Sequence, residues 1–483
     1  MKTTIKIAIW SLAALLATGF TTYKKDDIKP SNARITLTTA KKVKEKIILR
    51  IDADKDDVWI DLNNNGIQDS GEAGIAFGSS KKYTLGAKTV TIYGKVTGLN
   101  CNNNQLTALD VSKNTLLKSL YCSDNQLKAL DVSKNTALEE MECNGNQITG
   151  LNVSKNTALW LLGCGGNPIK TLDVSKNTAL KVLGCSDNLL TELNVSKNTK
   201  LQYLHCFNNQ IKVLDVSKNT ELEYLHCYNN QLKALNVSKN TALMKLECNG
   251  NLLTALNVSK NTLLKSLYCS DNQLKALDVS KNTALEEMEC NGNQITGLNV
   301  SKNTALWLLG CGGNPIKTLD VSKNTALKVL GCSDNLLTEL NVSKNTKLQY
   351  LHCFNNQIKV LDVSKNTELE YLHCYNNQLK ALNVSKNTAL MKLECNGNLL
   401  TALNVSKNTK LQYLYCFNNA IFGSKMNALV NSLPKRMISS KGNFYVIDLT
   451  ITDGNKCTPA QVNIAKNKNW KVLNSQGQPY TGN

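Results

Sequence analysis

A cysteine recurs every 21 residues from Cys101 to Cys416, and this register holds 16 of the 17 cysteines in a chain of 483 residues. The residues between keep the same period. One unit reads CSDNQLKALDVSKNTALEEME, residues 122–142, and across units the pattern is C-x-x-N-x-L-x-x-L-x-V-S-K-N-T-x-L-x-x-L-x. Self-similarity at a short fixed period restricts a chain to an array, because a small unit cannot bury its own apolar face and must share a core with its neighbours.

The spacing within a unit predicts its local structure. In LKSLYCSDNQL, the alternation Leu120, Tyr121, Cys122 predicts a strand with Leu and Cys pointing inward and Tyr outward. Asn125 and its equivalents are expected to turn the chain and to hydrogen-bond backbone groups inside the bend. The layout L-x-x-L-x-C-x-x-N-x-L is the leucine-rich-repeat pattern with cysteine in a leucine place. The expected fold class is therefore a leucine-rich-repeat solenoid with a parallel β-sheet along one face, a small β-rich N-terminal cap and an α/β C-terminal cap. The corresponding division is a signal peptide at 1–22, a linker at 23–33, the N-terminal cap at 34–97, repeats at 98–421 and the C-terminal cap at 422–483.

The cysteine ladder has three readings. Cysteine behaves as a small buried hydrophobe. A disulfide wants Cβ atoms about 3.8 Å apart, closer than in-register neighbours on adjacent rungs, although export to an oxidising compartment favours bridging. Zinc needs clustered ligands such as C-x-x-C, which the chain lacks, so no zinc is expected. A ladder of buried free thiols is the main expectation, and Cys457 stands outside it.

The formal charge of +19 arises mostly from one position. VSKNT recurs 15 times, each with its lysine, and without those 15 the charge falls to +4. The basicity is a product of the repeat, and no nucleic-acid partner is expected. The lysine row is either a solvated edge or an attraction for polyanionic glycans and surfaces.

The repeat with LxxLxCxxNxL and LDVSKNT resembles the cysteine-ladder leucine-rich repeats of internalin J-like bacterial surface proteins, over residues 96–421. The flanks WIDLNNNGIQDSGE, YTLGAKTVTIYGKVT, NSLPKR and KNWKVLN are similar to the ends of secreted bacterial members. The resemblance implies ligand recognition and adhesion rather than catalysis. In agreement, MKTTIKIAIWSLAALLATGF reads as a secretory signal, too short for a comfortable membrane span. Tyr23 stands where a lipidated cysteine would be wanted, and no LPXTG-type sorting sequence follows the repeats, so release or non-covalent surface attachment is expected.

Residues 111–262 recur unchanged at 258–409, an offset of 147 residues or 7 coils, so any site within one block is expected twice. The outward strand positions present Tyr203, His205 and Phe207 beside Tyr224, His226 and Tyr228, and again Tyr350, His352 and Phe354 beside Tyr371, His373 and Tyr375. A further coil gives Tyr413, Tyr415 and Phe417. All four histidines of the chain lie in these patches. Aromatics on a face that needs none for folding point to a binding platform for protein or sugar. The alternative is that the rings only pack on one another along the sheet. The glycine-rich stretches LLGCGGN at 161–167 and 308–314 are candidate recesses beside them.

In the N-terminal cap, DLNNNGIQDSGE fits D-x-N-x-N-G-x-x-D-x-x-E, the spacing of a calcium loop. Asp61, Asn63, Asn65 and Glu72 would offer side-chain oxygens, Ile67 its carbonyl and Asp69 a direct or water-mediated contact, with Gly66 at the sharp turn. An asparagine-rich turn without metal is the alternative. The C-terminal part predicts a helix at GSKMNALVNSL, a strand at NFYVIDL, a second helix capped by Thr458 with Pro459 at its first position, and a last strand at KVLN.

The function expected is a secreted or bacterial cell-surface protein that binds an extracellular protein as an adhesin through its aromatic face. The alternative is a glycan-binding surface protein using ring stacking and the lysine row. An enzyme is not expected: no nucleophile–base arrangement or phosphate loop appears.

Overall fold

A computed structural model describes residues 32–53, 57–73, 75 and 77–482. The signal peptide expected at 1–22 and most of the linker at 23–33 lie outside the described residues.

The described chain is a solenoid of parallel coils. Fifteen three-residue strands, from β8 (Ser119–Tyr121) to β22 (Tyr413–Tyr415), follow one another at the sequence period. Each pairs in register with the next, as Tyr203, Leu204 and His205 do with Tyr224, Leu225 and His226. The alternation read from the sequence sets the faces: Leu204 and Cys206 are fully buried, while Tyr203, His205 and Phe207 between and beside them are half-buried. Leu201, Ile211, Leu214 and Val216 complete the inner layer of that coil, and every coil repeats it to give one continuous core.

Two asparagines per coil hold the turns. Asn209 Nδ2 donates to the carbonyls of Cys206 at 3.1 Å and of Cys185 in the preceding coil at 3.0 Å, and its Oδ1 accepts from Leu190 N at 2.9 Å. The asparagine of VSKNT does similar work at the opposite corner: Asn219 Nδ2 bridges Val195 O at 3.0 Å and Asn198 O at 2.8 Å. These amides satisfy backbone groups that a tight bend would otherwise bury unpaired. The residue before the first asparagine sits in left-handed backbone, as at Asn208 (φ 52°), Asp187 (φ 54°) and Gly145 (φ 63°), which explains why Asn, Asp and Gly alternate there. All 17 cysteines are free and buried. The lysines of VSKNT are exposed and lie outside the strands, in the segments between them.

At the N-terminal end, β1 (Arg34–Thr39), β3 (Trp59–Asp61), β5 (Thr89–Tyr93) and β7 (Leu106–Asp110) form an antiparallel sheet in the order β3-β5-β1-β7. β2 (Lys46–Asp52) pairs antiparallel with β4 (Lys81–Thr84) and with β6 (Gly98–Asn100), and β6 opens the parallel ladder by pairing with β8. At the other end, β22 pairs with β23 (Gly442–Ile447) and β23 with β24 (Trp470–Asn474), both parallel, under α1 (Gly423–Ser432) and α2 (Pro459–Asn467). Thr458 caps α2, as the sequence predicts, and does so in a reciprocal pair with Gln461. Asn455 imitates the ladder: its Nδ2 donates to Cys416 O at 2.8 Å and its Oδ1 accepts from Ile421 N at 2.8 Å. The last coil therefore meets a surrogate coil, and the apolar end of the stack is covered. Among the described residues no helix is long and apolar enough to cross a membrane.

Candidate ligand-binding face

The outward side chains of the strands form rows along the solenoid. From β9 (Glu140–Glu142) through β10 (Leu161–Gly163), β11 (Val182–Gly184), β12 (Tyr203–His205), β13 (Tyr224–His226) and β14 (Lys245–Glu247) they run from carboxylates to glycines to rings to a Lys–Glu rung. The order then repeats from β15 (Ser266–Tyr268), so that Glu287 and Glu289 precede Gly310 and Gly331, which precede the second set of rings.

The structure brings the predicted ring residues together in pairs. Tyr203 stacks on Tyr224 with centroids 4.9 Å apart, His205 on His226 at 4.5 Å, and Phe207 on Tyr228 at 4.4 Å. The second block repeats them: Tyr350 on Tyr371 at 4.8 Å, His352 on His373 at 4.5 Å, and Phe354 on Tyr375 at 4.4 Å. Separations close to the rung spacing, with planes within 15° of parallel, stand the rings edge-on to the sheet. Rings lying flat would overlap. Cross-strand packing thus does organise the rings, and a ligand approaching from above meets ring edges and tyrosine hydroxyls. Free ring faces remain only at the two flanks of each stack.

One flank is charged. His226 Nδ1 lies 3.8 Å from Glu247 Oε2, and Glu247 Oε1 is 2.8 Å from Lys245 Nζ. Burial lowers His226 to about 4, outweighing the opposite pull of Glu247, so the imidazole is neutral at physiological pH. His205 is lowered for the same reason. On the other flank Val182 stands in register with Tyr203, but Gly184, in register with His205, places no side chain against the imidazole.

The third patch reaches into the C-terminal cap. Tyr415 stacks on Tyr445 at 4.0 Å, and Tyr413 is exposed. Sequence reasoning missed Tyr445 because it lies outside the repeat; the parallel pairing of β22 with β23 puts it there. It placed Tyr121 outward but left it and its duplicate Tyr268 out of the ring patches; their hydroxyls donate to Glu140 and Glu287 one rung away. Beyond Tyr228 a depression of about 360 Å³ opens between Glu247, Tyr268, Asp271 and Glu289. The recess expected at LLGCGGN is largely occupied, because Glu142 and Asn144 fold over Gly163, and Asn144 Oδ1 accepts from Gly165 N at 2.7 Å.

The candidate calcium loop is ordered around its carboxylates. Asp61, fully buried, accepts from Asn65 N at 3.0 Å and Gly66 N at 2.8 Å. Glu72 accepts from Leu62 N and Asp69 N, both at 2.8 Å. The amides of Asn63 and Asn65 both donate to Asp69 Oδ2 at 2.8 Å, and Gly66 has the left-handed φ of 78° that the turn requires. Among the described residues no group of three or more His, Cys, Asp or Glu could hold a metal ion. A cation here would therefore depend on the amide and carbonyl oxygens of Asn63, Asn65 and Ile67 as well.

Several known proteins share this architecture. The leucine-rich-repeat family (two copies) matches residues 199–240 and 346–387, two of the three ring-bearing segments. None of the curated proteins matches the chain. Among solved structures, the functional domain of internalin J from Listeria monocytogenes, which includes a cysteine ladder, is 34% identical over 74% of this chain and 76% of that one, with a TM-score of 0.60. A leucine-rich-repeat protein of Leptospira interrogans is 23% identical over 74% of this chain and 95% of that one, with a TM-score of 0.63. An internalin, InlF, of Listeria monocytogenes is 23% identical over 57% of this chain and 86% of that one, with a TM-score of 0.54. The last two show the fold alone. The 21-residue ladder of buried cysteines, the strand face and the similarity to the internalin J domain together place the chain in the family of internalin J-like, cysteine-ladder leucine-rich-repeat proteins.

Proposed function

We propose that the protein is secreted or held on a bacterial cell surface and binds an extracellular protein, as an adhesin, through the aromatic outward face of its strands. The observation that carries this reading is the pair of six-ring stacks, built on a sheet whose core is complete without them. Edge-on rings with hydroxyls and neutral imidazoles suit an interface that mixes apolar contact and hydrogen bonds. The same geometry disfavours the glycan alternative, because sugar stacking needs broad ring faces and these are mostly consumed within the stacks. The strand face also carries Glu140, Glu142, Glu247, Glu287, Glu289 and Glu394 against Lys245 and Lys392, a formal −4 in a chain of +19. The lysine row, which would serve polyanionic glycans, lies outside these strands.

Binding to arrays of extracellular proteins and of glycans tests the reading. Protein signals that persist as salt is raised support it. Signals confined to anionic glycans and erased by salt would favour the alternative.

The loop at 61–72 is proposed as a structural calcium site. The support is the fit of donor types: Asn63 Oδ1 and Asn65 Oδ1 each accept one backbone N–H, from Asn65 at 3.1 Å and Ile67 at 2.8 Å, and keep a second lone pair. Calcium would supply the countercharge for Asp61, Asp69 and Glu72. Calorimetric titration of calcium into chelator-treated protein tests this, and an absence of heat would count against it.

A further inference from the structure

Gly184 and its duplicate Gly331 are the glycines of the outward face that the fold does not require. Their neighbours are more crowded. A Cβ at Gly163 would lie 3.0 Å from Asn144 Nδ2 and 3.2 Å from Glu142 Cγ, and one at Gly165 would lie 3.0 Å from Ser186 O. At Gly184 the nearest atoms would be Gly163 Cα at 3.9 Å and Leu162 O at 4.0 Å, which is ordinary contact, and the backbone is not left-handed. Gly331 is alike, with Gly310 Cα and Leu309 O both at 3.9 Å. Glycine weakens a strand, so a position that admits a side chain yet lacks one calls for another reason.

Register supplies it. Gly184 pairs with His205 on one side and with Gly163 on the other. The missing side chain leaves a slot. Its floor is Gly184 and one wall is the uncovered face of His205, flanked by Tyr203 and Phe207. The other wall is Glu142, which leans over Gly163 toward the slot. Gly331, His352 and Glu289 repeat it. Glu142 and Glu289 have no cationic partner on the adjacent strand positions, where Leu161 and Gly163, or Leu308 and Gly310, stand on one side and Ser119 and Tyr121, or Ser266 and Tyr268, on the other.

We propose, building on the protein-binding reading above, that each slot receives an arginine side chain of a protein partner, its guanidinium stacked on the imidazole of His205 or His352 over the glycine, with Glu142 or Glu289 as countercharge. A planar, weakly hydrated cation fits a ring face and a carboxylate together better than an ammonium does. Two secondary features agree. Burial holds His205 and His352 low, so each imidazole is neutral and does not repel a cation, and burial with the neighbouring glutamate holds Glu142 and Glu289 high, a penalty that a cation relieves. The slots lie seven coils apart, about 34 Å at the spacing of parallel strands. A partner with basic residues at that separation engages both and gains by avidity.

The chain has four histidines, so imidazole NMR of histidine-labelled protein reads the slots directly. The probe is N-acetyl-arginine amide, with the neutral N-acetyl-citrulline amide as control. The expected result is a saturable shift of the His205 and His352 signals, not of His226 and His373, and none with the control. Filling the slots in Gly184→Leu/Gly331→Leu should weaken the arginine response by at least about tenfold. Glu142→Gln/Glu289→Gln should weaken it too without occupying the slot, and provides the answer if the leucine variant unfolds. Equal shifts from the two probes, shifts in all four histidines, no shifts, or an unchanged response in the folded variants would each overturn the slot. The probe needs no partner, so such a result leaves protein binding on the ring face standing. Conversely, a slot that binds the probe in a protein that captures no extracellular protein would defeat the broader reading alone.

Discussion

The imidazole of His205 lies face to face with that of His226, centroids 4.5 Å apart and planes 15° from parallel. Two stacked imidazoles that are both half-buried cannot easily carry two charges, and burial keeps both below the ordinary value of 6.5. In the unfolded chain they regain that value and bind protons first. Stability is therefore full above pH 6.5 and falls as pH drops toward about 4, the value of His226 in the folded protein. The duplicate pair His352 and His373 behaves alike. The slope contributed is at most about 1.4 kcal/mol per pH unit for each imidazole. Urea melts from about pH 4.5 to about pH 7.5 should show this slope flattened in His226→Gln/His373→Gln. An identical pH profile in wild type and variant would contradict it.

The cysteine ladder should be chemically silent in the native state. Burial pushes the thiols of Cys206 and Cys248 up to about 12, far from the pH at which thiolates form. A thiol reagent at pH 8 should find almost no reactive group in folded protein and all 17 after denaturation. A substantial deficit in denaturant would mean that disulfides form in the ladder.

The turn asparagines should matter far more than the exposed lysines beside them. Asn230 Nδ2 donates to Cys206 O at 3.0 Å and Cys227 O at 3.2 Å, and its Oδ1 accepts from Ile211 N at 3.0 Å. Asn230→Ala buries these groups unpaired, for an expected loss of about 3 kcal/mol. Lys233→Ala, on the exposed side of the same coil, should stay within about 0.5 kcal/mol. Hydrogen exchange around residues 206–230 distinguishes the two, because opening in a solenoid is local.

If the loop at 61–72 holds calcium, the ion should raise the melting temperature of the N-terminal cap, and Asp61→Ala should remove the effect. Asp61 is the informative position because it is fully buried and holds two backbone N–H groups. A shift that survives Asp61→Ala would place any calcium elsewhere.

The coil was legible in the sequence because its physics is periodic. Leu204 and Cys206 recur at one spacing, and that one period of inward residues determines the whole ladder. The side from which Tyr203, His205 and Phe207 emerge was legible for the same reason. Their attitude was not: edge-on stacking depends on the ring of the next coil, at 4.4–4.9 Å, and strand alternation alone is silent about it. Gly184 was equally opaque. It looks like Gly163 in the sequence, and only the lean of Glu142 and Asn144 over Gly163 separates a glycine in a crowded place from one with room for a side chain. The caps were read as strands and helices, but their docking was hidden. Leu106–Asp110 reads as part of the first repeat and is in fact paired antiparallel with Arg34–Thr39, and Tyr445 joins the outward face from a segment with no repeat signature.

The proposed recognition rests on the strand face. The most direct measurement compares extracellular-protein binding by wild type with that of a variant carrying Tyr203, Phe207, Tyr224, Tyr228, Tyr350, Phe354, Tyr371 and Tyr375 changed to Ala. The Leu and Cys core is untouched by these changes, so the variant should retain the circular dichroism of the wild type. Loss of binding in this folded variant is the predicted result. Binding that survives unchanged would move recognition to the lysine row or the N-terminal loop and contradict the central claim.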